Sequence, residues 1–130
     1  MRETRRLLYW EGSAKKDFKT FPLPVQKDMG VALFIVQLGQ TPGSVKPWKG
    51  LGSGVYELTE DFRGDTFRAV YTVRFRDAVH VLHAFQKKSK SGISTPRRDT
   101  DLIEKRMKAV LAREASWRSS DDKQTPSSRH

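Results

Sequence analysis

The sequence contains no cysteine, which removes disulfide scaffolds, thiolate nucleophiles and sulfur-rich metal sites from consideration. Histidine is scarce as well. His80, His83 and His130 lack metal-ligand spacing, so neither a structural metal nor a cofactor is expected. There is no G-x-S-x-G and no glycine-rich phosphate loop ahead of a helix. The longest apolar run, Val31 to Val36, is far shorter than the roughly 20 residues that span a bilayer. The N-terminus places Glu3 and Glu11 around a short apolar patch and lacks a signal-peptide core, which points to the cytoplasm. Acidic residues are also in short supply, 15 against 25 Lys and Arg, giving a formal net charge of +10. Such a surface suits a polyanionic partner, most often nucleic acid.

The pattern of apolar residues predicts an α+β domain over residues 1–115, followed by a polar, aperiodic tail over 116–130. Leu7 to Trp10 reads as a first strand. Ser13 is placed to cap a helix in which Ala14, Phe18 and Phe21 share one stripe, stopped by Pro22. Pro24 suits the first turn of a second helix, with Val25, Met29, Ala32, Leu33 and Val36 on its buried face and Gly39 after its end. Residues Gln40 to Gly54 are too rich in Gly and Pro for a regular element, and they bring Lys46, Trp48 and Lys49 together. Trp48 has two roles open to it, stacking on a base or covering a core edge.

Val55 to Glu60, Phe67 to Phe75 and Val79 to Phe85 then read as three strands of an antiparallel meander, the first two joined by a turn containing Arg63. One face of the middle strand is apolar, whereas the other carries Arg68, an expensive place for an unpaired charge. Either Glu57 pairs with it, or that face is open to phosphate. The last strand ends in a basic cluster, Lys87, Lys88 and Lys90. Beyond the loop, Asp99 or Thr100 is placed to cap a helix whose stripe is Ile103, Met107 and Val110.

With nucleophile and metal signatures missing, the chemistry left open is metal-free phosphoryl transfer on RNA. The 2′-hydroxyl attacks the adjacent phosphodiester, and the protein orients the backbone, neutralises oxygens and moves protons. Arg and Lys serve the first two tasks. For the third, Glu57, His83 or a lysine are candidates, although His83, on the side of its strand shared with Val81 and Phe85, reads first as a core histidine.

The segments KGLGSGVYEL, FRAVYTV and VHVLHAFQKKSKSGISTP, in this order, resemble the RelE/ParE toxin superfamily, especially its HigB-like, phage-related members. The likeness covers about Leu7 to Ala112. It implies a compact β-α-α-β-β-β-α fold, with a helical hairpin on one sheet face and a C-terminal helix. For the RelE and HigB branches it also implies metal-independent endoribonuclease cleavage of mRNA on the ribosome. A helix-turn-helix antitoxin partner is expected, with room for an oligomer in that complex, and no membrane. Carried over by position, Arg68 looks like a contact to the scissile phosphate, and Lys87 and Lys88 like stabilisers of the transition state or leaving oxygen. Where RelE carries lysines on the second meander strand, this chain has Glu57 and Thr59, and the position of the RelE C-terminal tyrosine falls near Ser94. Glu57 is then the first candidate base. Lys46, Trp48, Lys49, Arg63, Lys90, Arg97 and Arg98 form the wider RNA-binding surface. Two other readings fit the same charge: a non-enzymatic, ParE-like inhibitor of gyrase, and a nucleic-acid-binding protein that is no toxin.

Overall fold

In the computed structural model, Leu7–Trp10 forms β1, Ala14–Phe18 α1, Leu23–Gln37 α2, Val45–Pro47 β2, Val55–Phe62 β3, Asp65–Thr72 β4, Ala78–Lys87 β5 and Arg97–Ser128 α3. The structure describes residues 5–75, 77–87 and 95–128, with side chains in the last segment described as far as residue 117. The five strands run in the order β1-β5-β4-β3-β2. From β2 to β5 every pairing is antiparallel, and β1 joins the edge of β5 in parallel. The expected element order holds, with one addition. Within the Gly- and Pro-rich link, Val45 to Pro47 pairs with Tyr56 to Leu58 and adds the edge strand β2. Only three residues pair there, too few to leave a periodic signal.

Each sheet face has its own core. On one side α1 and α2 bury Phe18, Val25, Met29, Leu33 and Val36 against Leu58, Phe67, Ala69, Tyr71, Val79, Val81 and Ala84. On the other, α3 lays Ile103, Met107 and Val110 onto Val55, Val70, Leu82 and Phe85. Each fully buried side chain of that stripe contributes about 2 kcal/mol of transfer free energy. The hairpin between β3 and β4 turns through Arg63 and Gly64, with φ of 52° and 85°. Two positive-φ residues are what a two-residue type I′ turn requires, and Arg63 accepts that strain while its guanidinium lies 5.0 Å from the Phe62 ring centroid.

Three expectations are corrected. The first helix ends at Phe18 rather than Phe21, because the residue before Pro22 is disfavoured in the helical region, and Phe21 packs from a turn. Neither Asp99 nor Thr100 caps α3. The helix begins at Arg97, and both residues sit inside its first turn. Finally, α3 does not stop near Ala115 but continues to Ser128, through the segment read as an irregular tail. Loss of an apolar stripe does not end a helix; a breaker does, and after Gly92 and Pro96 the chain has no glycine and no proline before Pro126.

Candidate functional site

The sheet face beneath the start of α3 gathers the charged residues in neighbouring rows. Lys46, Glu57, Val70 and His83 are successive partners across β2, β3, β4 and β5. One step along, Thr59, Arg68 and Phe85 are partners, and beyond them Asp61, Thr66 and Lys87. Alternation therefore sets Arg68 between the row of Glu57 and His83 and the row of Lys87, all on one face.

Arg68 Nη1 donates to Glu57 Oε2 at 2.5 Å, and Lys46 Nζ approaches Glu57 Oε1 at 3.6 Å. The Glu57 carboxylate is almost fully buried, whereas the Lys46 side chain is 65% exposed. A buried carboxylate between two cations has both oxygens engaged, so Glu57 neutralises and orients Arg68 rather than waiting as a free base. Arg68 keeps a spare donor. Its Nε is buried and has no hydrogen-bond partner among the described residues. Such an orphan is costly in a finished core and useful at a site that receives an anion. Lys87 lies half-buried at the end of β5 and makes no ion pair among the described residues.

A register irregularity opposite Val70 and Tyr71 decides where the histidines go. Val70 pairs with His83 and Tyr71 with Val81, so Leu82 is the extra residue of a bulge. Without it, His80 and His83 would face opposite sides. With it, both face α3, and His83 does not share a side with Val81, which packs under α1 and α2. His83 Nε2 lies 2.7 Å from Asp99 Oδ1, and Arg106 Nη1 lies 3.2 Å from His83 Nδ1. Arginine only donates, so Nδ1 accepts and Nε2 carries the hydrogen given to Asp99. Arg106 is fixed in turn by the Leu82 carbonyl at 3.0 Å and by Ser13 Oγ at 3.1 Å. Gly12 has φ of 53°, and a Cβ there would come within 2.6 Å of Arg106 Nε, so glycine makes room for this arginine.

Asp99 and His83 line a cavity of about 530 Å³ at the end of β5, together with Asp17, Asp65, Gln86 and Arg98. Phe85 stacks on His83 with centroids 5.1 Å apart. The three tyrosines lie elsewhere. Tyr56 and Tyr71 pack on each other, and burial, with Tyr56 close by, raises the Tyr71 phenol well above its ordinary value. Tyr9 stacks on His80, five residues along β5 from Phe85, or about 17 Å at the usual strand rise.

Of the residues expected at the site, the structure brings together Arg68, Glu57, Lys46 and Lys87. Trp48 is partly buried against the α3-side core beside Leu51, the core-edge role of the two open to it. Lys49, Arg63, Arg97 and Arg98 are exposed, and Arg98 reaches the cavity. Lys88, Lys90 and Ser94 lie outside the described residues. Sequence reasoning missed the Asp99 and Arg106 partners of His83, since only the bulge brings that histidine to α3. It also missed Arg74, whose guanidinium closes the glycine loop by donating to Leu51 O at 2.5 Å and Ser53 O at 3.0 Å. A Cβ on Gly52 would meet that guanidinium at 2.6 Å.

The arrangement of five strands and three helices is the RelE fold. A mutant of the E. coli toxin RelE in the free state is similar with a TM-score of 0.53 at 16% identity, covering 82% of this chain and 99% of that one. The toxin-antitoxin complex RelBE2 from Mycobacterium tuberculosis is similar at 17% identity over 68% of this chain and 98% of that one, with a TM-score of 0.44, too low to support an argument. Among curated proteins, none matches the chain. Residues 16–108 match the family described as Phage derived protein Gp49-like (DUF891), and the chain belongs to that family. The superfamily resemblance carried by KGLGSGVYEL, FRAVYTV and the β5 motif thus holds for family and fold.

Proposed function

We propose that this protein is the toxin of a toxin-antitoxin pair and acts as a metal-independent endoribonuclease on mRNA at the ribosome. The observation that carries this reading is Arg68: a guanidinium held rigidly by buried Glu57, with a spare buried donor at Nε, one row from Lys87 on a basic sheet face. The fold shared with the toxin RelE supports it. In the reaction, the 2′-oxygen forms a bond to phosphorus, and the bond from phosphorus to the 5′-oxygen breaks. Arg68 and Lys87 neutralise the non-bridging oxygens where charge develops, and Lys46, Lys49 and Arg63 steer the RNA backbone. The same resemblance supports an antitoxin partner, which would cover this basic face.

The test is end mapping of mRNA in a translating extract. Attack by the 2′-hydroxyl leaves 2′,3′-cyclic phosphate and 5′-hydroxyl ends, and Arg68→Ala should slow the cut by about 100- to 1,000-fold. Cleavage that leaves 5′-phosphate ends, or that survives Arg68→Ala unchanged, overturns the reading. Intact mRNA with DNA damage in the cell selects a ParE-like inhibitor instead.

A further inference from the structure

On the Arg68 face Glu57 is committed to Arg68 and Lys46, and the other carboxylate there, Asp61, is exposed and accepts from Thr66 Oγ1 at 2.9 Å. We propose that Asp99 is the general base that takes the proton of the attacking 2′-hydroxyl, and that His83 positions it. This inference rests on the endoribonuclease reading. Asp99 uses Oδ1 to accept the His83 Nε2 hydrogen, while Oδ2 makes no hydrogen bond or ion pair among the described residues. Its side chain is 19% exposed and that of His83 only 5%, so the carboxylate faces the cavity and the imidazole backs it.

The backing is firm. Arg106 donates to the other ring nitrogen, Nδ1, and is itself held by Leu82 O and Ser13 Oγ, so β5, α3 and the start of α1 together fix the carboxylate. A base must be held in place to act, since general-base catalysis demands hydrogen-bond reach to the proton removed. The position also suits the task. His83 pairs with Val70, two residues from Arg68 on the same face of β4, a diagonal step of about 7–8 Å. Neither Arg68 nor Lys87 lines the cavity, whose wall also takes in Phe21, Pro22, Phe67 and Ala84, so RNA held at Arg68 must cross the end of β5 to bring its sugar to Asp99. The other charged groups around that cavity are Asp17, Asp65 and Arg98.

The step balances without a further reactant. Asp99 accepts one proton as the 2′-oxygen attacks phosphorus, and the 5′-oxygen leaves with the electron pair of the broken bond, to be protonated by solvent. A purely structural alternative exists, since a carboxylate in the first turn of a helix stabilises the helix dipole. That role would show in melting temperature and leave the cleavage rate per folded molecule untouched.

The experiment is single-turnover cleavage of ribosome-bound mRNA at one pH, with the rate expressed per folded molecule. Full-length wild type, Asp99→Asn, Asp99→Glu and Arg68→Ala are compared, with melting curves of each. Asp99→Asn, which keeps an acceptor for His83, should slow cleavage by about 100-fold. Asp99→Glu should restore part of that rate. If Asp99→Asn melts below the assay temperature, Asp99→Ser, which also retains an acceptor, is read in its place. Wild-type rate in the Asn or Ser variant, with Arg68→Ala inactive, overturns the assignment while the ribonuclease reading stands. No cleavage by wild type overturns both.

Discussion

His80 and His83 lie three residues apart on β5, and both face α3, yet one is sealed and the other borders a cavity. His80 Nδ1 is 2.9 Å from Glu11 Oε2, and its Nε2 is 3.2 Å from Glu114 Oε2. Tyr9 stacks on one side and Phe75 meets the ring edge-on. Glu11 is satisfied from outside by Arg113 at 2.5 Å. Both ring nitrogens of His80 and both oxygens of Glu11 therefore have an opposite number, and the cluster ties together the end of β1, β5 and the middle of α3. The His83 cluster has the same ingredients of histidine, carboxylate and arginine, but its carboxylate keeps an unused oxygen toward the cavity. The contrast teaches that burial of a histidine does not by itself separate structure from chemistry. What separates them is whether the unpaired carboxylate oxygen beside the histidine borders a cavity, as at Asp99.

The contrast breaks most visibly at His80. Replacing His80 with Ala leaves buried Glu11 and partly buried Glu114 facing a void, with only Arg113 to compensate, and should cost about 3 kcal/mol in chemical unfolding. RNA cleavage per folded molecule should stay near wild type. Equal loss of activity in the folded fraction would erase the distinction between the two histidines.

Removing the weaker partner sharpens the comparison. Glu114 makes the longer of the two bonds to His80, and its side chain is 12% exposed, so Glu114→Ala should cost about 1 kcal/mol. Hydrogen exchange should show the loss in the middle of α3, near Glu114, while amides near Asp99 stay protected. Uniform loss of protection along α3 would mean that the two clusters do not hold separate parts of the helix.

The fold was legible because it rests on periodicity. The stripes of α2 and α3 and the alternation in β4 follow directly from which residues can be buried, and the turn at Arg63-Gly64 follows from positive φ. The pairing of Arg68 with Glu57 was also legible as one of two readings, since a mid-strand arginine needs a carboxylate on the same face. The His83 site was not. A bulge has no periodic signature, and one extra residue at Leu82 reverses the facing of everything after it. Asp99, 16 residues further on, looked like a helix cap because nothing local to it shows the histidine it meets. The continuation of α3 was hidden for the opposite reason, since a run of polar residues carries no stripe to read.

Glu60 supplies the control for both histidine clusters, as a carboxylate with no cation partner among the described residues. Burial, then the nearby charges of Asp28 and Asp61, raise its pKa above the ordinary 4.5, and the Ser44 hydroxyl at 3.5 Å offsets only part of this. A raised folded-state value means that the folded chain holds the proton more tightly than the unfolded one. Stability from this group is therefore greatest below about pH 4.5 and declines as pH rises through the raised value. Glu60→Gln, which cannot ionise, should melt slightly above wild type at neutral pH, and the gap should close on acidification below that range. A variant that melts below wild type at neutral pH would show that Glu60 is paired in solution as Glu11 and Glu57 are. The lesson drawn from spent and unspent carboxylates would then need a third kind of site.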